Sequence, residues 1–474
     1  MSNLKITFNE IDFILPSYRY NIKFSYATKQ GLPFIREYIL RLAQLGAISP
    51  NHIARYFGLN ERETKEAISD LIKREELKYN DRDQVILTEK SEGYFETLGS
   101  TLNVSELRST GAILGFELTS LTCVSTQNKR LGRLWTQGFK LDVASSKVAN
   151  RDRLVSKAFQ RHFQDLIEDG YMDHVKDKEG GKPNIYKVES LNQIGSEPYR
   201  IKLVFEMDVD GKAVDTNDIE GLKDSSEALE LIASEINAQS RRNNHIEILV
   251  AIEKLKDKNT QKLFSASAFK VDEFIQLKAG EDANKGRYIP FIGGLYSHEN
   301  WKKFYELFEK EKKAIIAQHQ DGVVDMKWLV PSNTFWGKSD RINSCLTELV
   351  AGSKTSGKKS KRVYDFKVML PLSDESSPRE KNDWLHNLAD IKNNLHGYVE
   401  GYLNGDVEVV LLEDRLVAVT YYLSLPESYR VPVPIGFIST DKGVIGSVAH
   451  SLNGYLSEFY DEDKRKSLGS FDKL

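Results

Sequence analysis

Nine cationic side chains fall between residues 129 and 161: Lys129, Arg130, Arg133, Lys140, Lys147, Arg151, Arg153, Lys157 and Arg161. Asp142 and Asp152 alone oppose them, nine charges against two, so this stretch is locally at +7. Cations at that density can neutralise phosphates or form a solvated helix face. The whole chain has a net charge of -3, so a nucleic-acid contact would have to come from such a local face. On the helix predicted from Asn150 onward, Arg151, Arg153, Ser156, Lys157, Gln160, Arg161 and Gln164 point outward. Arg and Gln can hydrogen-bond base edges as well as phosphates. Lys176, Lys178 and Lys182 follow in and around the next turn.

Other candidate chemistry is weaker. Residues 352–359 (GSKTSGKK) approach a phosphate-binding P-loop, but Lys359 stands where a Mg²⁺-holding Ser or Thr belongs. The segment also follows a predicted helix and precedes a predicted strand, the reverse of a P-loop, and reads as a basic loop. The nine histidines form no His-Glu-x-x-His pattern. Cys123 and Cys345 can build neither a disulfide framework nor a four-cysteine zinc site. No Gly-x-Ser-x-Gly elbow occurs. No catalytic residue, metal ligand or cofactor is therefore assigned, although a nuclease site assembled from distant carboxylates stays open. Trp328, Phe335 and Trp336 bracket a predicted strand end. Ligand pockets of open α/β sheets lie beyond such ends, which makes Ser332, Asn333 and Trp336 candidate ligand contacts; the alternative is core aromatics.

The elements that must position these residues follow from length and pattern. A chain of 474 residues, 40% hydrophobic and 28% charged, has material for two to four domains and is neither disordered nor fibrous in composition. No apolar run approaches the ~20 residues of a membrane span. The first residues lack a signal-peptide core. A cytoplasmic protein with reduced thiols, without a membrane partner, is expected.

Residues 1–30 read as short strands. Phe34, Ile35, Tyr38, Ile39, Leu42 and Leu45 have helical spacing, stopped by Gly46. Ser49 should cap a helix with Pro50 in its first position and Gly58 at its end. Asn60 with Glu63 should form a capping box for a third helix, and Leu77–Tyr79 and Val85–Leu87 a hairpin. Ile53, Phe57, Ile68, Leu71 and Ile72 are the expected core. Residues 90–128 read as a connector, and Lys129–Leu134 as helical or extended. Asn150 should cap a long helix stopped by Gly170, followed by a hairpin of Tyr171–Val175 and Ile185–Val188. Beyond Asn192, strands are predicted at Arg200–Phe205, His245–Ile252, Met326–Val330, Tyr364–Leu370, Val407–Leu412, Leu416–Tyr422 and Ile435–Ile438. Helices are predicted at Ser225–Gln239, His298–Gln318, Arg341–Val350, near 380–396 and at Val444–Phe459.

Three helices and a hairpin over residues 32–90 resemble the winged helix-turn-helix family, and residues 129–190 resemble the back half of a second such module. The resemblance implies duplex DNA as a partner, with Arg62, Lys65 and Ser69 of the third helix as contacts. Residues 61–76 depart from the pattern, with four cations against six acids. Packing or dimerisation is the competing use of that helix. For the second module the implied DNA contacts are Arg130, Arg133, Lys147, Arg151, Arg153, Lys157, Gln160, Arg161, Lys176, Lys178 and Lys182. Residues 323–460 resemble the phospholipase-D-like fold through MKWLVPSN, VYDFKVMLPL and VEVVLLEDRLVAVTYY. That family's chemistry needs His-x-Lys-x4-Asp. His174 alone has Lys two residues on, with Gly181 where Asp belongs, so the resemblance implies a degenerate domain.

The fold class expected is a multidomain α+β and α/β protein, with tandem winged helices ahead of an α/β layer domain. Its parts are residues 1–100, 101–192, 193–322 and 323–474. The leading functional expectation is a DNA-binding transcription regulator, a homodimer with a C-terminal sensor or dimerisation domain. The alternatives are a non-enzymatic subunit of a DNA-processing or antiviral defence complex, with other protein subunits as partners, and an enzyme with a distributed nuclease or phosphodiesterase site.

Overall fold

The structure, a computed structural model, describes residues 5–30, 34–95, 104–132, 137–176, 182–214, 226–240, 242–265, 269–280, 287–318, 323–355, 361–375 and 377–473. Helices and sheets are mixed along the whole length. Two compact units are each drawn from separated stretches: a smaller one from Ser17–Leu131 and Ala144–Glu197, and a larger one from Met1–Pro16, Gly132–Val143 and Pro198–Leu474.

In place of several short strands, residues 1–30 contain one strand, β1 (Ile6–Gln30). Helices α1 (Phe34–Leu45), α2 (Pro50–Phe57) and α3 (Glu61–Lys73) follow, then the hairpin β2 (Leu77–Tyr79) and β3 (Val85–Leu87), and a short α4 (Glu89–Glu92). Local chemistry sets these bounds. The Ser49 hydroxyl accepts from His52 N–H, and α2 ends at Gly58 with φ 68°, a left-handed conformation that glycine adopts without penalty. Asn60 and Glu63 exchange side chain-to-backbone bonds of 2.9 Å in both directions, the expected capping box. Ile53, Ile68 and Leu71 are buried with Ile39, Leu40, Leu77 and Val85, and Phe57 and Ile72 pack half-buried against them.

The rest of the smaller unit is a sheet with helices on it. Residues 90–128 are not a connector: β4 (Val104–Glu117) pairs antiparallel with β1 from Ser17↔Glu117 onward, and β5 (Cys123–Thr126) pairs with β4. On the other side of β1 lies β7 (Asn184–Met207). The expected long helix comes in pieces, α5 (Ser145–Ala149), α6 (Arg151–Arg161) and α7 (Phe163–Glu168), broken at His162. Asn150 makes no cap: its backbone, at φ -101° and ψ 13°, is not extended as a cap requires, and its side-chain N–H donates back to the Ser146 carbonyl. Among the described residues the second hairpin is also absent. Asp173–Val175 is a 3-10 turn, and Ile185–Val188 belongs to β7, which runs unbroken through Asn192 into Arg200–Phe205. Residues 129–132 form neither helix nor strand, and 133–136 lie outside the described residues.

In the larger unit, β6 (Phe139–Lys140) pairs parallel with the first half of β1, and β8 (Ala213–Val214) pairs with the end of β7. Helices α8 (Ser226–Gln239), α9 (His245–Lys254), α10 (Lys258–Gln261) and α11 (Val271–Ala279) precede an eight-stranded sheet. The strand predicted at His245–Ile252 is thus helix α9. It buries His245, Ile248, Ala251 and Ile252, a helical face. The sheet is built from β9 (Tyr288–Ile292), β10 (Val324–Leu329), β11 (Tyr364–Leu372), β12 (Leu395–Val399), β13 (Val407–Leu412), β14 (Leu416–Leu423), β15 (Val433–Ser439) and the strand Ser467–Ser470. Its order is Ser467–Ser470, β12, β11, β10, β13, β14, β15, β9. Only β10, β11 and β12 run parallel to one another. The connections include α12 (His298–Ala317), α13 (Arg341–Gly352), α14 (Pro378–Asn387) and α15 (Lys442–Ser457). The helix predicted near 380–396 ends at Asn387, and Ala389–Asn394 is 3-10.

Apolar side chains cover both faces of this sheet. On β13, Val407, Val409 and Leu411 enter one core, while Val410 and Leu412 enter the other. Burial on both faces explains why the central strands read as continuous apolar runs.

Candidate nucleic-acid interface

Helix α6 is mounted by its inner face. Val155 and Phe159, with Phe163 of α7, pack on Tyr20, Ile22 and Phe24 of β1 and on Leu114 and Phe116 of β4. The Phe24 ring lies 5.1 Å from Phe159 and 5.5 Å from Phe163. That anchoring turns Arg153, Lys157 and Arg161, spaced four residues apart, toward solvent as one stripe, with the exposed Gln160 beside it. The side chains of Arg153, Lys157 and Arg161 make no hydrogen bond or ion pair with the described residues. Gln160 donates weakly to Ser156 Oγ at 3.4 Å. The one acid of α6, Asp152, accepts from the Tyr20 hydroxyl at 3.2 Å, and burial together with this carboxylate pushes the Tyr20 pKa up. The stripe spans about 12 Å along the helix at ~1.5 Å per residue. A helix of this kind fits a major groove about 12 Å wide.

The other cations of this region divide into bound and free. Lys147 is half-buried and donates to the Thr119 carbonyl at 2.7 Å. Arg151 donates to Gln193 at 2.8 Å and to the Val148 carbonyl at 3.0 Å, with its guanidinium 5.2 Å over the Tyr18 ring. These two hold the fold together. Lys176 pairs with Asp173 at 2.6 Å, and Lys182 with Glu168 at 3.2 Å. Arg130 is exposed and its side chain is unpaired among the described residues. Arg133 and Lys178 lie outside the described residues.

On α3 the picture is reversed. Arg62 pairs with Glu66 at 3.2 Å, and Lys65 with Glu61 at 2.9 Å, each within one turn of the same helix. The Lys65 ammonium holds the Glu61 carboxyl below its ordinary pKa, a sign that this pair stays ionised. Ser69 is exposed on the same helix.

Elsewhere, the P-loop-like segment follows α13 and precedes β11, the order expected for a basic loop; residues 356–360 lie outside the described residues. No three His, Cys, Asp or Glu side chains among the described residues come together in a way that could hold a metal ion. No helix among them is long and apolar enough to cross a membrane. Both cysteines are buried and free, and burial pushes each thiol up to about 12. No protein-family model matches the sequence, and a search of curated proteins returns no match.

Proposed function

We propose that this protein binds duplex DNA and that α6 is its principal contact. One observation carries the reading: Arg153, Lys157 and Arg161 form an exposed, unneutralised stripe on a helix whose opposite face is fixed to a sheet. Phosphate contacts supply most of non-specific affinity, and Arg and Gln on the same face can read base edges. A regulator with a winged-helix segment at 34–95 and a sensor or dimerisation domain of degenerate phospholipase-D-like type is the architecture proposed around that contact.

The test is duplex binding by fluorescence anisotropy across a salt series, with the parent protein and with Arg153→Glu/Lys157→Glu/Arg161→Glu. Tight, salt-dependent binding that the triple variant loses supports the proposal. Parent-like binding by a folded triple variant overturns α6 as the contact.

A second reading concerns α1–α3. The internal ion pairs of α3 favour a protein contact for this segment, and Tyr56 and Leu45 remain 64% and 70% exposed nearby in sequence. Self-association through it suits a two-fold DNA binder. Light scattering on Tyr56→Glu should then show a smaller mass than the parent; an unchanged mass removes this reading.

A further inference from the structure

Within the larger unit, a cleft of about 720 Å³ opens where the parallel strands β10, β11 and β12 end. Ser332, Pro371 and Glu400, at or just after the three carboxyl ends, line it. β10 is the point at which the sheet order reverses, with parallel β11 on one side and antiparallel β13 on the other. Open α/β sheets bind ligands at such a point, in pockets of roughly 300–1,000 Å³.

The loop after β10 is held rigidly from behind. Asn333 donates to Asp406 at 3.0 Å and accepts from Phe335 N–H at 3.0 Å, so this side chain fixes the loop. Trp336 donates its indole N–H to the buried Glu408 carboxylate at 2.6 Å. Glu408 also accepts from Trp328 at 2.8 Å and from Tyr422 at 3.2 Å. Gly337, with φ 70°, donates its N–H to the Tyr296 hydroxyl at 3.1 Å. The Trp336 ring is therefore locked in place, with Trp384 of α14 edge-on at 6.3 Å; both line the cleft.

Two polar groups in this cleft are incompletely satisfied. Lys338 is half-buried with its ammonium 4.9 Å over the Phe139 ring, and it has no ion pair with any described residue. Burial, with Lys140 nearby, pulls its pKa below the ordinary lysine value against the attraction of the Glu235 carboxylate, and a bound anion would push it back up. Gln137 is only 3% exposed; its amide nitrogen donates to the Asn387 carbonyl at 3.3 Å, but its Oε1 has no donor among the described residues. A buried acceptor without a partner is rare and calls for an N–H or O–H from outside. The carboxylates of Glu235 and Asp383 also line the cleft as further acceptors.

An anionic group for Lys338, a flat ring for the two tryptophans, and N–H and O–H donors for Gln137 and the carboxylates occur together in one class of small molecule. We propose that this cleft is a nucleotide site, with the base against Trp384 and Trp336 and the phosphate on Lys338. A free phosphate satisfies only Lys338, and a nucleoside leaves Lys338 unpaired.

The experiment uses the full chain. Binding of the four ribonucleoside monophosphates, of the four corresponding nucleosides and of inorganic phosphate is measured by calorimetry and by tryptophan fluorescence. At least one monophosphate should bind at submillimolar concentration and quench emission, and its nucleoside should bind about tenfold or more weakly, the loss of one charge-assisted bond. Lys338→Gln should erase that difference, while Trp384→Ala should weaken nucleotide and nucleoside alike. Circular dichroism on both variants guards against misfolding. The proposal fails if no monophosphate binds at millimolar concentration. It also fails if inorganic phosphate binds as well as the nucleotides, or if both folded variants bind as the parent does.

Discussion

Helices α3 and α6 are similar in length and amphipathicity, and each carries three or more cations, three residues apart at Arg62 and Lys65 of α3 and four apart at Arg153, Lys157 and Arg161 of α6. On α3, acids sit one turn away from Arg62 and Lys65, and the charges cancel within the helix. On α6, Arg153, Lys157 and Arg161 are one another's neighbours at four residues, Asp152 is turned to Tyr20, and Asp165, four residues beyond Arg161 on α7, faces His162 at 3.0 Å. The difference shows that a cation's availability to an outside anion depends on what its own helix places one turn away as well as on the number of positive residues nearby. Exposed pairs of the α3 kind contribute little to stability, but a phosphate must displace the carboxylate to reach the ammonium.

Charge reversal gives the largest expected effect and the sharpest break between the two helices. Arg153→Glu/Lys157→Glu/Arg161→Glu should weaken duplex binding at least about a hundredfold. Its log–log salt slope should fall by about 2.7, at ~0.9 for each phosphate that is no longer neutralised. Arg62→Glu/Lys65→Glu should change affinity by no more than about threefold and leave the slope in place. Equal losses from the two variants would contradict the ranking.

Core truncations are next in size. Phe159→Ala removes the ring that mounts α6 between Phe24 and Phe163, and should cost about 3–5 kcal/mol of stability. Leu71→Ala, in the separate core beneath α3, should cost about 2–5 kcal/mol. Denaturant unfolding reads both. The comparison sharpens when DNA affinity is measured below the unfolding transition: Phe159→Ala should lower it by loosening the cationic stripe, and Leu71→Ala should not. A Leu71→Ala protein of unchanged stability would contradict the packing of α3.

Sequence legibility followed the distance between partners. Ser49, Gly58, Asn60 and Glu63 act on residues within one turn, so the bounds of α2 and α3 can be read locally. The runs VEVVLL and LVAVTYYL announce strands because both faces are covered. Residues 1–30 read as strands, but the continuity of β1 and the whole of β4 escape such a reading, since Ser17 finds its partner only at Glu117. At His245–Ile252 a short apolar run fits a buried strand or a helix equally, and packing decides for α9. The same logic holds at the sites. The pairs that neutralise α3 are visible at i,i+4. The bonds that withdraw Lys147 and Arg151 from solvent reach Thr119 and Gln193, and no local pattern signals them. At the cleft, the strand-end rule indicates Ser332 and Trp336, while Gln137 arrives from a segment nearly two hundred residues earlier. Lys338, two residues past Trp336, lies in the loop to which the same rule points.

The smallest expected effect separates two asparagines that stand at the same position in the two helices. Asn60 and Asn150 each precede the first residue of α3 and α6, and by residue type both are good caps. Only Asn60 acts as one, accepting from Glu63 N–H while its own N–H is taken by the Glu63 carboxylate. Asn150 has φ -101° and ψ 13°, outside the extended conformation that aims a cap side chain at the first turn, and its amide is spent on Ser146. Asn60→Ala should therefore cost about 1 kcal/mol in denaturant unfolding, within the ~0.5–2 kcal/mol typical of removing a cap. Asn150→Ala should cost no more than a few tenths, the range of surface substitutions. Glu63→Ala in the Asn60→Ala background should add less than it does alone, because the two bonds of the box depend on each other. Neither asparagine touches the cationic stripe, so duplex affinity should stay at the parent value in both variants. A cost of about 1 kcal/mol at Asn150 would mean that α6 starts from a capped end and that its orientation on the sheet differs from the one described.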